Sequence, residues 1–124
     1  MKEIIIKIVS EVYGIDGNLL FVKNKHRDIA HIKQSVFYYL RNEMHYTYQR
    51  IADIFELGHS NVVIGTRSFE NKISIYSVDR IAYREFKKVF DSYKVMDKEL
   101  LSEFLQNNDK YLSSDLKEYL KVRL

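Results

Sequence analysis

The sequence predicts an all-α fold of six or seven helices, and three observations carry that prediction. Its 124 residues include no proline and only four glycines, so little in the chain would break a helix. Leu, Ile, Lys and Glu are plentiful, and apolar residues return at helical spacing in successive segments. Residues 47–72, TYQRIADIFELGHSNVVIGTRSFENK, read as two short helices around a three-residue corner, the layout of a helix-turn-helix. With 46% hydrophobic and 30% charged residues, the composition suits a soluble globular protein. The length allows one domain, or one domain with a helical appendage, with a real core.

Each element follows from local pattern. Ile4, Ile5, Ile8, Val9 and Val12 predict an amphipathic helix over residues 2–13, ended by Gly14. Residues 15–22 form a turn carrying a hydrophobic plug, Leu19-Leu20-Phe21. The basic segment Lys23-Asn24-Lys25-His26-Arg27 is a loop or the start of a helix. A longer helix over residues 28–44 points Ile29, Ile32, Val36, Phe37 and Leu40 to the core. Thr47 is the expected N-cap of the next helix, because its hydroxyl can accept an orphan backbone N–H. That helix, residues 47–55, buries Ile51, Ala52 and Phe55. At the corner Glu56-Leu57-Gly58, the glycine is expected to take a positive φ. The second helix of the motif starts near His59 and buries Val62, Val63 and Phe69.

Residues 74–77 form a weak break and mark a boundary near residue 75, dividing the chain into residues 1–74 and a helical extension, 75–124. Within that extension, residues 78–93 repeat apolar positions at Ile81, Ala82, Phe86, Val89 and Phe90. Asp97 is expected to cap a helix with Leu100, Leu101, Phe104 and Leu105 that ends at Asn107-Asn108. A last helix from about Ser114 carries Leu116, Tyr119, Leu120 and Leu124. There is no internal repeat and no low-complexity segment.

Several function classes are excluded early. No cysteine is present, which removes disulfides and thiolate metal sites and suits a reducing compartment. No apolar run approaches the roughly 20 residues that span a bilayer. Ile4-Ile5-Ile6 is broken by Lys7 and is too short for a secretory signal, so a cytoplasmic location and no membrane partner are expected. His26 and His31 are five apart, and His45 and His59 lie in unrelated segments, so no pair has the i, i+4 spacing of a helical zinc site. No metal and no cofactor are expected. Without a cysteine nucleophile or a Gly-x-Ser-x-Gly elbow, no catalytic residue is assigned and the protein is not expected to be an enzyme.

The net charge of +3 says little about partners, but its distribution says more. Residues 22–50 hold Lys23, Lys25, Arg27, Lys33, Arg41 and Arg50 against Asp28 and Glu43, whereas residues 73–124 are nearly balanced. This basic excess lies just before a helix whose counterpart in helix-turn-helix proteins sets its N-terminal residues against base edges in the major groove. His59, Ser60 and Asn61 are then the candidate base-contacting residues. An imidazole can donate or accept, a serine hydroxyl suits base or phosphate, and asparagine can bond adenine bidentately. Backbone N–H groups at the same helix start also suit a phosphate. The plainer alternative is that Ser60 caps the helix while His59 and Asn61 face solvent. Thr47, Gln49 and Arg50 open the first motif helix, which crosses the DNA backbone in known motifs. Tyr38, Tyr39, Tyr46 and Tyr48 could stack on bases of a single strand, but packing of their rings in the core is favoured.

Residues 4–73 resemble the C-terminal DNA-binding domain of the bacterial replication initiator DnaA. The matching pieces are Val9-Ser10-Glu11-Val12-Tyr13-Gly14, Leu19-Leu20, Lys23 to Arg27, Lys33-Gln34, Thr47-Tyr48-Gln49-Arg50-Ile51-Ala52 and His59-Ser60-Asn61-Val62-Val63. The family carries Arg-Asp-His-Ser/Thr-Thr-Val at the start of its reading helix. Here Leu57-Gly58 replaces the Arg-Asp, one loop residue is lost, and Asn61 stands in place of a threonine. The resemblance implies a Trp-repressor-like helix-turn-helix domain whose partner is double-stranded DNA. It implies Lys23, Lys25 and Arg27 as a basic loop touching phosphates or the minor groove, with Lys33 a weaker candidate. The family's recognition sequence does not carry over, because an aspartate implicated in reading bases is missing. No GxxxxGK[ST] phosphate loop occurs, so no ATPase module is visible. A different reading makes residues 75–124 a protein-docking or homodimer surface through Phe86, Phe90, Phe104 and Leu105.

Overall fold

The computed structural model describes residues 1–23 and 26–96, together with 102, 103, 106 and 107. Lys25, the rest of the helix expected from Asp97 and the last helix from about Ser114 lie outside the described residues. Those residues form an all-α protein: α1 (Lys2–Tyr13), a 3-10 helix (Gly17–Phe21), α2 (Arg27–Asn42), α3 (Tyr48–Phe55), α4 (His59–Ile75) and α5 (Ser77–Met96).

The first helix ends where the sequence places its stop. Gly14 adopts φ 65°, and its N–H donates to the Ser10 carbonyl. The chain then returns tightly over α1. The Gly17 N–H donates to Ser10 Oγ at 2.9 Å, and that hydroxyl in turn donates to the Ile6 carbonyl at 2.7 Å. A Cβ on Gly17 would meet the Ile6 carbonyl oxygen at 2.4 Å, so only glycine permits this approach. Leu20 of the plug is buried as a result.

The long α2 forms the floor of the core with Ile29, Ile32, Val36, Phe37, Tyr39 and Leu40. It packs on α4 at close range: a Cβ on Gly65 would sit 3.0 Å from the Phe37 ring. Against this floor α3 buries Ile51, Ala52 and Phe55, while α4 buries Val62, Gly65, Thr66 and Phe69. Val63, expected in the core, is only half-buried.

Helix α5 enters the same core. Tyr83, Phe86 and Phe90 are buried in one cluster with residues of α1 to α4, and the Tyr39 and Phe90 rings stack at 4.1 Å. Two expectations change here. Ile81 is 58% exposed, and Tyr83 takes the inward position, because the phase of α5 is set by Phe86 and Phe90. Phe86 and Phe90, expected at a docking surface, are fully buried in this core; Phe104 and Leu105 lie outside the described residues. Tyr39 and Tyr46 are likewise buried, and Tyr38 and Tyr48 half-buried, as ring packing requires.

Candidate nucleic-acid interface

The two motif helices meet at a corner whose geometry differs from expectation. Gly58 has an ordinary extended backbone, φ −73° and ψ 150°, while Glu56 holds the positive φ of 54°. The cause is the way α3 closes. The N–H of Glu56 donates to the Asp53 carbonyl and that of Leu57 to the Ala52 carbonyl at 2.9 Å, a closure that requires the left-handed residue directly after the last helical one. Gly58 instead serves as N-cap of α4 and supplies no side-chain hydrogen bond to the helix end. The Asn61 N–H turns back to the Gly58 carbonyl at 3.2 Å, which leaves the N–H groups of His59 and Ser60 to meet a ligand.

His59, Ser60 and Asn61 are all exposed in that first turn. Behind them Val62, Gly65, Thr66 and Phe69 fix the helix to the core, so these three side chains are presented on a rigid support. His59 also packs edge-on against the Tyr48 ring, centroids 5.8 Å apart at 81°. The Arg41 guanidinium lies 4.3 Å above the other partner of that pair, the Tyr48 ring, and donates to the Tyr46 carbonyl at 3.0 Å. Tyr48 and Arg41 thus help to orient His59. Their part in placing His59 follows from the contact geometry and not from the motif.

The start of α3 has less freedom than its sequence suggests. The Thr47 hydroxyl oxygen accepts the Arg50 N–H at 3.1 Å, which confirms the expected cap and commits that oxygen to the helix. Gln49 donates through Nε2 to Asp53 at 2.9 Å. Arg50 stacks 3.9 Å over the Tyr46 ring and pairs with Glu103, a residue of the C-terminal extension. Asn107 donates to the Met44 carbonyl at 3.1 Å, a second contact from that extension to the same corner.

Lys23, at the start of the basic segment, stands beside the corner. Lys23 and Arg27 are exposed. His26 caps α2 by accepting the Asp28 N–H on Nδ1 at 3.2 Å. Lys23 and Lys33 line a cleft of about 450 Å³ that faces Phe55, Glu56 and Leu57. Lys33 is half-buried there, and burial pulls its ammonium below the usual lysine range. The cleft therefore brings Lys23 and Lys33 next to the approach to α4, with Glu56 as an opposing charge. Among the described residues no group of three His, Asp or Glu is placed to hold a metal ion, and no helix is long and apolar enough to cross a membrane.

Comparison with known proteins agrees with this architecture. The family described as "Bacterial dnaA protein helix-turn-helix" matches residues 2–68, more than half of the chain. Chromosomal replication initiator protein DnaA 1 of Chlamydia pneumoniae is 29% identical over 89 residues, covering 71% of this chain and 19% of that protein. Chromosomal replication initiator protein DnaA 2 of Chlamydia caviae is 27% identical over 95 residues, covering 75% and 21%. The chain thus spans about a fifth of the length of these relatives. No solved structure matches it.

Proposed function

The chain belongs to the bacterial DnaA helix-turn-helix family, and from that premise we propose that it binds double-stranded DNA, without catalysis, in the control of replication or transcription. The observation that carries the proposal is the first turn of α4. It combines an uncapped helix start at Gly58, three exposed polar side chains, and a buried opposite face that holds them in register. In the groove, His59, Ser60 and Asn61 meet base edges, and the open N–H groups meet a phosphate.

Affinity comes mainly from phosphate contacts. Lys23, beside the corner, supplies them together with Lys25 and Arg27 of the same segment; Thr47, Gln49 and Lys33 are weaker contributors. Arg50 contributes only after leaving Glu103. The relatives are named chromosomal replication initiators, which favours a replication role over other uses of the motif.

The test is fluorescence anisotropy of the whole chain against labelled random duplexes, titrated with salt. Micromolar or tighter binding that weakens with a slope of about −0.9 per phosphate contacted is expected. Lys23→Ala with Arg27→Ala should weaken every duplex and reduce that slope by roughly 2. On a site obtained by selection, His59→Ala with Asn61→Ala should lower the preference over random DNA more than it lowers non-specific binding. An equal loss on both kinds of DNA would refute the assignment of base contacts to these two residues.

A further inference from the structure

We infer that Ile64 is a specificity residue that packs against the C5-methyl of a thymine in the major groove. The inference rests on the DNA-binding reading above and adds to it a base class and a residue beyond His59, Ser60 and Asn61. Ile64 is 66% exposed on α4, three residues beyond Asn61 and three before the exposed Arg67. Ser60, Asn61, Ile64 and Arg67 therefore form one outward stripe, since residues three and four apart share a helix face. Groove-bound reading helices use this same recurrence of positions to reach bases.

Along the axis, Ile64 lies about 4.5 Å beyond Asn61, at 1.5 Å per residue. That is a little more than the roughly 3.4 Å separating successive bases on a strand. The two side chains are thus spaced to reach neighbouring base pairs.

A lone surface isoleucine is unremarkable in itself. Its position is what carries the argument: it interrupts the polar stripe that faces DNA, on a helix whose other face is fixed in the core. The floor of the major groove offers one apolar group to such a side chain, the thymine methyl, and a cytosine or purine at that place offers none. As a β-branched residue in a helix, Ile64 has essentially one favoured χ1 rotamer, so little freedom is lost when it docks.

The experiment uses the whole chain and a duplex obtained by binding-site selection, with each thymine replaced in turn by deoxyuridine. This exchange removes only the methyl group. At one position near the Asn61 contact, the wild-type protein should lose roughly fourfold in affinity, the scale of one buried methyl-sized group. Ile64→Ala should bind the thymine and uracil duplexes equally, with an unchanged melting temperature because the side chain is exposed. Loss of uracil sensitivity in Ile64→Ala, with sensitivity kept in Arg67→Ala, supports the inference. It is overturned if the selected site has no thymine preference, if no uracil substitution affects the wild type, or if Ile64→Ala stays as sensitive as the wild type. Failure to bind any duplex at low salt would overturn the DNA-binding reading and this inference with it, so the two failures are distinguishable.

Discussion

Glu56 carries a backbone angle that favours glycine, whereas Gly58, two residues later, does not. A non-glycine residue in the left-handed region costs on the order of 1–2 kcal/mol, partly offset because glycine loses more chain entropy on folding. Glu56→Gly should therefore raise stability by about 0.5–1 kcal/mol, seen as a higher denaturation midpoint with an unchanged slope. Gly58→Ser should add only a few tenths, since a Cβ there meets nothing nearer than Asn61 Nδ2 at 3.8 Å and serine is a modestly better N-cap. A strong loss of stability on changing Gly58 would mean that the corner is built differently. The sequence located this corner but not its strained residue. Glycine marks where a left-handed angle is cheap, while the closing hydrogen bonds of α3 decide where it falls. Ile64 was hidden for a related reason: in sequence it reads as part of the apolar run Val62-Val63-Ile64, and only the phase of α4 turns it outward.

At the level of elements, the motif helices and α1 were legible because each combines apolar periodicity with a recognisable cap or stop. The limits of α1, 2–13, coincide with expectation, and Thr47 caps α3 as its chemistry suggests. In α5 the pattern misled, because hydropathy favours Ile81 over Tyr83 while the packing phase favours the tyrosine. Least legible was the contact between α3 and residues distant in sequence. Arg50 stands at the start of α3 where a phosphate grip is expected, yet its guanidinium is held by Glu103 and the Tyr46 ring. A carboxylate in that place competes with a DNA phosphate for the same donors. Glu103→Gln should thus free Arg50, raise affinity for all duplexes severalfold and steepen the salt dependence by about one phosphate contact. Arg50→Ala should abolish that gain. If Glu103→Gln leaves both affinity and salt slope unchanged, Arg50 takes no part in binding.

For the whole molecule, the decisive feature is that α5 completes the core beneath the motif. Phe86 and Phe90 have no exposed surface and both contact the Tyr39 ring of α2, so truncation of Phe86 to alanine should cost about 3–5 kcal/mol and lower the stability of all elements in one transition. The attachment has a charged edge as well. Asp91 accepts from Tyr39 of α2 at 2.6 Å, and Lys87 and Lys94 stand 2.9 and 3.0 Å from its carboxylate, with Glu43 on the far side of Lys87 at 3.7 Å. Burial pushes the Asp91 carboxyl up, but its bonds to Lys87 and Tyr39 and the charge of Lys94 outweigh that and hold it below the ordinary value of 3.8. A carboxyl lowered in the folded state contributes stability that is complete above the unfolded value and disappears as pH falls through the folded one. Stability should therefore fall on acidification below about pH 4, and Asp91→Asn should remove part of that fall while lowering stability at neutral pH. Thermal melts of both proteins between pH 7 and pH 2 would show it. Parallel profiles would mean that the carboxylate adds nothing to the attachment of α5, leaving the aromatic contacts alone to hold that helix under the helix-turn-helix.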